Sequence, residues 1–550
     1  MDVSYGLIFT LPGQGVLLHL DPLSLFFLVL LLPQTAASAI AGLRATAGFW
    51  VFVAGMGLTI LAGSVFLLIF GLGVMGLSVW GLTARADARR AAPYVGMMVF
   101  SLTCLVPALS LPVSSLAFIL VLLGVGAMVG LVPFYGWMPR LFAAVPAPLS
   151  ALLSGGAVNV AVYVLLRYVF VTAAGVQQPW WGVVLMILGA FSIVYGAFRA
   201  AIDIDLGDSL AWSGIEEIGM VFLGIGVALW AVASTDLDLS GLALQAVLLN
   251  VLAYGLFRPL MFIGVGEVRH AVGTSSLNWL GGLMRGMPRL GVLMLLGATG
   301  IATLPLGPAF APMFLLVHAV IGMALPGAVL ACVGGAALLA VLGLAMALML
   351  LTSIKIIGLG FLGRPHSLHA AAAEEARRGP FLGMALLGAL CLPIALVPGL
   401  ILLLCAPVVH LLAPLARTTS LAYAPLTLSG LACVALVMAG FAQARWGVRD
   451  LQETSAWNGG FDRPPVWLPF GDPHTQPTAS GFSREARRVI GYSATIDPAG
   501  RFLWYPLLRL YLSLTRLGAF TNGLSPRLAL LLLFVALMSV LLLFGLMRGG

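Results

Sequence analysis

One lysine, Lys355, stands among the 550 residues, and the other 26 basic residues are arginines. It sits in the apolar run Met349-Leu-Leu-Thr-Ser-Ile-Lys-Ile-Ile-Gly-Leu-Gly-Phe361. A desolvated amine can lose its proton whereas a guanidinium effectively cannot, so a lysine here suits a proton relay. It also suits a snorkelling side chain near a helix end, ahead of Arg364, and both readings stand. Glu216 and Glu217 are the second candidates, about two turns inside an apolar run entered through Asp203, Asp205 and Asp208. The three aspartates fit a helix entrance, where acidic groups complement the dipole. The glutamates are adjacent and so point to different faces; at least one meets protein or water, to pair with an arginine or to hold a proton. Arg258 is the third, preceded by Tyr254-Gly-Leu-Phe and followed by Pro259. The proline removes a backbone donor, and a break there would bare carbonyls at membrane depth, as ion paths do. Helix distortion alone accounts for the proline but not for the charge beside it. An ionisable group at mid-bilayer costs about 2.5–3.5 kcal/mol on insertion scales, so each of these residues wants a reason.

The elements that position them are membrane helices. Hydrophobic residues are 61% of the chain and charged ones 8%, against about 25% charge in a soluble protein. Crossing the hydrocarbon takes about 20 apolar residues, and about fourteen such runs succeed one another from 23–42 to 527–547. Their length excludes barrel strands, which predicts an all-α polytopic membrane protein. The net charge of +8 resides in short arginine loops, the positive-inside pattern, and calls for no nucleic acid. Arg85, Arg140, Arg199, Arg269 and Arg289 fall on one, cytoplasmic side by strict alternation. Beyond 288 the alternation fails: the runs 288–306, 309–325 and 327–361 would place Arg364 and Arg377 outside. One of them is therefore expected to be broken or re-entrant, and Leu304-Pro-Leu-Gly-Pro308 is the place for it. The five cysteines all lie in apolar runs without CxxC spacing and read as small buried hydrophobes. Neither a metal site nor any other cofactor is expected. Three parts are anticipated: a helical membrane domain over 1–445, a polar cytoplasmic loop over 446–505, and a final segment, 506–550, carrying the last helix.

Several motifs in order resemble one family. Leu131-Val-Pro-Phe-Tyr-Gly-Trp-Met-Pro139, Ala147-Pro-Leu-Ser-Ala-Leu-Leu-Ser-Gly155, Leu210-Ala-Trp-Ser-Gly-Ile-Glu-Glu-Ile-Gly219 and Leu256-Phe-Arg-Pro-Leu-Met-Phe-Ile-Gly264 look like the antiporter-like membrane subunits of respiratory complex I, Mrp cation/proton antiporters and membrane-bound hydrogenases. Lys355-Ile-Ile-Gly-Leu-Gly-Phe-Leu-Gly-Arg-Pro365 and Gln476-Pro-Thr-Ala-Ser-Gly-Phe-Ser483 are similar to the large antiporter-like subunit of hydrogenase-4 and formate hydrogenlyase. The resemblance covers most of residues 15–510 and implies the antiporter-like fold, with broken helices. It also implies that the start is shortened by one early span.

The resemblance implies a relay of titratable groups along the membrane midplane, and this sequence departs from it. The early run Phe70-Gly-Leu-Gly-Val-Met-Gly76 lacks the glutamate of pumping members. Asn159 stands where a lysine is expected, Tyr254 where a histidine is, Arg258 where a second lysine is, and Gly207-Asp208 where a basic pair is; Lys355 and Glu216 match. Asn159 has no titratable proton and Arg258 keeps its charge at any accessible pH. The relay candidates are thus Lys355, Glu216, Glu217, Arg258, Tyr254, Asp205 and Asp208. The implied partners are other membrane subunits and a peripheral redox arm, docked near 446–505, with protons or monovalent cations as cargo. Three readings remain: a hydrogenase-4-like subunit, a cation/proton antiporter or inorganic-carbon uptake subunit, and a non-conducting scaffold.

Overall fold

In lipid, a helix is the one open structure that lets an apolar run satisfy its own N–H and C=O groups. The structure is a computed structural model and describes residues 18–43, 46–325, 329–414, 416, 423–446, 478–481, 484 and 488. In chain order its helices are α1 (Pro22–Ser38), α2 (Ala47–Leu61), α3 (Val65–Ser110), α4 (Ser115–Val129), α5 (Met138–Ala144), α6 (Ala147–Leu152) and α7 (Val158–Leu166). Then come α8 (Pro179–Ile202), α9 (Leu206–Ala233), α10 (Leu237–Val272), α11 (Leu283–Gly286), α12 (Pro288–Ile301) and α13 (Phe310–Ala324). The last five are α14 (Val329–Lys355), α15 (Leu368–Ala371), α16 (Arg378–Leu396), α17 (Pro398–Leu412) and α18 (Tyr423–Trp446). Wider π-helical turns join α6 to α7 (Leu153–Ala157) and extend α14 (Ile356–Phe361).

Among the described residues nine helices are long and apolar enough to cross a membrane, and five more apolar helices of 10–17 residues are shorter than that. The all-α polytopic architecture is therefore as read from hydropathy. The expected total of about fourteen crossings includes the run 527–547, which lies outside the described residues. So does nearly all of the 446–505 loop and the whole of 506–550. By its internal contacts the chain divides into Met1–Ser493 and Ala494–Gly550; the helices α1 to α18 all belong to the first.

Helices α9 and α10, with the stretch Ala147–Thr172 that holds α6 and α7, form the centre, and α8 packs on α9. In α10, 94% of the most apolar stretch is buried within the protein, and in α9 89%, against 33% in the α14 span, whose exposed leucines and valines suit contact with lipid. The α8–α9 contact rests on glycines seven residues apart: Gly182, Gly189 and Gly196 face Gly226, Gly219 and the Glu216 backbone. A β-carbon on Gly189 would stand 2.7 Å from the Gly219 carbonyl oxygen, so only glycines let these backbones touch. That register fixes Glu216 on the α8 side of α9.

Contacts at one end settle the alternation. At the arginine-rich end, the Arg269 guanidinium reaches the Ala143 carbonyl at 3.5 Å, and Leu206 N–H donates to Ser275 O at 2.9 Å. Gly281 N–H donates to Gly360 O at 3.1 Å, Gly282 N–H to Leu362 O at 2.9 Å, and the Glu375 carboxylate accepts from the first N–H groups of α12, Arg289 at 2.9 Å and Leu290 at 3.1 Å. Arg289, Arg364 and Arg377 therefore share one end. That requires α12 and α13 to make a single crossing. At 14 and 15 residues each is about 21–23 Å long, too short for a hydrocarbon core of about 30 Å. The break between them, Ala302–Ala309, holds Thr303 and Leu306 at positive φ, 49° and 72°, and coincides with the Leu304–Pro308 motif.

Two apolar spans within α3, Val65–Thr83 and Pro93–Ser110, lie against each other, since a β-carbon on Gly76 would touch Met98 at 3.4 Å. One straight helix would hold those residues about 33 Å apart. The expected break at Pro259 needs correction: α10 stays helical from Leu237 to Val272 through the proline.

Candidate functional site

Arg258 is the centre of the site. It is 1% exposed, and α10 aims it at the first turns of α9. Its guanidinium donates to Ser213 Oγ at 2.9 Å and to the Leu210 carbonyl, and lies 5.2 Å from the Tyr254 ring and 5.7 Å from the Phe262 ring. The two rings, one turn to either side on the same helix, cover the faces of the cation. Gly214 is the residue that admits it, because a β-carbon there would strike the guanidinium. Glu216 and Glu217, 2% and 1% exposed, come next on α9. Glu217 lies within electrostatic reach of both Tyr254 and Arg258, and Glu216 within reach of Glu217 and Arg258. Neither is within ion-pair distance, since both terminal nitrogens of Arg258 are engaged elsewhere. Glu217 Oε1 and Oε2, Glu216 Oε2 and Arg258 Nε have no hydrogen-bond partner. Two carboxyls beside one permanent cation can take up and release a proton while the cation offsets part of the charge change. Orphaned polar atoms this deep are a cost that structure alone gives no reason to bear.

Next along α10, Pro259 deprives the Gly255 carbonyl, four residues back, of its helical donor. Gln34 of α1 supplies the replacement, Nε2 donating to Gly255 O at 2.8 Å. The carbonyl expected to lie bare is thus capped. Gly155, in the π-turn, lets Pro259 approach: a β-carbon there would meet the proline ring at 2.5 Å. Asn159 is 3% exposed and faces the same point, with Nδ2 3.5 Å from Val251 O.

Lys355 occupies a different place. It is 7% exposed, and its ammonium donates to Ala200 O at 2.9 Å, Ala201 O at 2.9 Å and Asp203 O at 2.6 Å. An ammonium has three donors, and all three go to carbonyls that α8 leaves unpaired where it ends. The positive charge also meets the negative end of the helix dipole. Lys355 is a C-cap supplied from another helix.

The aspartates are likewise engaged in local structure. Asp205 caps α9, its Oδ1 accepting from Gly207 N–H at 2.8 Å and Asp208 N–H at 3.2 Å while Oδ2 accepts from Ser275 Oγ at 2.6 Å. Asp203 accepts from Trp212 Nε1 at 3.2 Å. Asp208 sits in the first turn of α9, two turns short of Glu216. The structure thus brings together Arg258, Tyr254, Glu216 and Glu217, with Asn159 beside the Gly255 backbone. It sets Lys355, Asp205 and Asp208 apart from them.

Sequence reasoning missed Gln34, Ser213 and two end clusters. Near Asp21, Arg167 pairs with the carboxylate and approaches His19 Nδ1 at 3.2 Å, while Ser24 Oγ and Tyr163 OH lie 3.1 Å apart one turn inward. Burial pushes the Asp21 carboxyl up, but the Ser24 N–H and the Arg167 guanidinium outweigh it and hold the group below its ordinary value. The Asp21-Pro22 pair is a helix-start signal that could have pointed there. At the opposite end, Arg377 binds Glu267 through two nitrogens, at 2.5 and 3.2 Å to Oε1. Among the described residues no group of three His, Cys, Asp or Glu is placed to hold a metal ion.

Over residues 58–340 the chain matches the family described as NADH:quinone oxidoreductase/Mrp antiporter, TM. It is 34% identical to an uncharacterized protein of Mycobacterium tuberculosis over 298 residues, 54% of this chain and 46% of that one. It is 31% identical to hydrogenase-4 component B of Escherichia coli over 289 residues, 52% and 43% of the respective chains. The chain therefore spans about half the length of the curated relatives it matches. Its fold is that of a chain in the membrane-bound sulfane sulfur reductase, an archaeal respiratory membrane complex, with a TM-score of 0.75 at 18% identity over 98% of this chain and 91% of that one.

Proposed function

This chain belongs to the NADH:quinone oxidoreductase/Mrp antiporter transmembrane family, and from that premise we propose that it is the antiporter-like membrane subunit of a hydrogenase-4-like or complex I-related assembly. In this reading partner subunits carry out the electron transfer, and this chain takes part in the proton translocation coupled to it. The observation that carries the reading is the buried set Glu216, Glu217, Arg258 and Tyr254, in which both carboxyl oxygens of Glu217 and one of Glu216 lack hydrogen-bond partners. The relay is shorter than the family pattern implies, because Asn159 carries no proton and Lys355 is held by three carbonyls.

The test uses the intact complex in proteoliposomes, with electron transfer and internal pH followed together. Glu217→Gln keeps the shape and should leave electron transfer running while proton uptake falls about a hundredfold or more, the scale of a lost proton-transfer group. Unchanged uptake sinks the reading. The Lys355 cap favours a second one, a non-conducting scaffold. Under it, Glu217→Gln changes nothing and Lys355→Met loses partner subunits. The anticipated docking segment, 446–505, belongs to this proposal too. Its described part touches the membrane domain where Ala479 N–H donates to Asn278 Oδ1 at 3.0 Å.

A further inference from the structure

The exposed side of α14 ends in charge. Leu350 and Ile354 are 37% and 59% exposed and lie four residues apart, on one face of the helix. In the π-turn that follows, a β-carbon on Gly358 would meet open space, and Leu362, 50% exposed, closes the stripe. Over 350–362 this apolar stripe runs about 18 Å, a little more than one leaflet of a hydrocarbon core of about 30 Å. At its foot the backbone pairs with a second segment. Gly282 N–H donates to Leu362 O, Ser367 Oγ donates to Trp279 O at 2.8 Å, and the Arg364 carbonyl lies against Gly281. The pairing gathers Trp279, Arg285 and Arg364 where the stripe ends. Trp279 is 59% exposed, an amphipathic ring of the kind favoured at headgroup level. Among the described residues the carboxylates in ion pairs are those of Asp21 and Glu267, so neither arginine is neutralised by one. Glu375, nearby in the same loop, spends both oxygens on the first N–H groups of α12.

We propose that α14 binds an anionic phospholipid, with an acyl chain along 350–362 and the phosphate between Arg285 and Arg364. Guanidinium groups take phosphate oxygens in pairs, and Gly358 leaves a shallow dent for the chain. A zwitterionic lipid fits less well, because its own cation would meet two others. Lys355 faces the opposite way, into the end of α8. The helix is thereby held from inside by its ammonium and from outside by the lipid. The site does not depend on the proton reading given above.

The test uses the full complex in phosphatidylcholine nanodiscs, with phosphatidylglycerol that carries a photoreactive diazirine on its acyl chain. Labelling is expected on 350–362, displaced by unmodified phosphatidylglycerol but not by added phosphatidylcholine. Arg285→Gln with Arg364→Gln should weaken the affinity about thirtyfold, the scale of two arginines at an anionic surface. Arg285→Lys with Arg364→Lys should restore most of it. Labelling that phosphatidylcholine displaces equally well, or that the glutamine pair leaves unchanged, overturns the anionic site. A stripe that takes no label overturns it too, and capture of a partner subunit by Ile354→p-benzoylphenylalanine would then show that protein covers this face.

Discussion

Among the described residues two cations are buried, Lys355 and Arg258, and their surroundings are opposite. Lys355 has every donor satisfied by the end of α8, with no orphaned atom of its own. Arg258 has Nε unpartnered and two carboxyls close by that it does not bind directly. The first is the only lysine, the residue type best suited to exchanging a proton, yet its surroundings take up all three of its donors. The second cannot exchange a proton, yet its neighbours can. A buried charge therefore has to be judged by what consumes its hydrogen bonds, and not by residue type alone.

The largest effect is expected at Arg258. Arg258→Leu strips the neighbouring cation from two buried carboxyls and leaves Ser213 and Leu210 O without their donor, a cost of about 3–5 kcal/mol. Thermal denaturation of the purified complex should show this as a clear loss of stability. A variant as stable as wild type would mean that the carboxyls never depended on the arginine.

Lys355→Met comes next. Orphaning carbonyls at the end of α8 costs about 1–3 kcal/mol, and Lys355→Arg should recover part of it by keeping charge and donors. The comparison breaks if the Met variant melts like wild type but loses proton uptake, because Lys355 would then be a relay and not a cap.

The smallest effect is expected at the ordinary ion pair between Asp21 and Arg167, which serves as a reference. The folded-state value of Asp21 is depressed, so its contribution is present above the ordinary carboxylate range and lost as pH falls through that lower value. Asp21→Asn should cost about 1 kcal/mol at neutral pH and nothing in strong acid. A cost that persists at low pH would point to the cap geometry, not to the charge.

Much of the architecture was legible because lipid leaves so little choice. The broken crossing could be placed at Leu304–Pro308 from charge alternation and two prolines alone. Asp205 could be read as a helix cap because caps are local. Gln34 could not be found, since its partner is a carbonyl 221 residues away, freed by Pro259. For the same reason the bareness expected at Pro259 was wrong: a proline announces the lost donor, but the replacement comes from another helix.

By itself, the sequence determined that this chain lies in the membrane as helices, which family it resembles, and which few charges it carries into the bilayer. Hydrophobic run length and motif order are properties of the chain, and lipid enforces them without further information. Only the tertiary structure decided what those charges meet. Lys355 meets three carbonyls because α8 ends beside it, and Glu217 and Arg258 became neighbours because α9 and α10 pack together. Proton chemistry depends on distances between helices, and those distances arise from the packing of glycines, rings and amides that lie far apart along the chain.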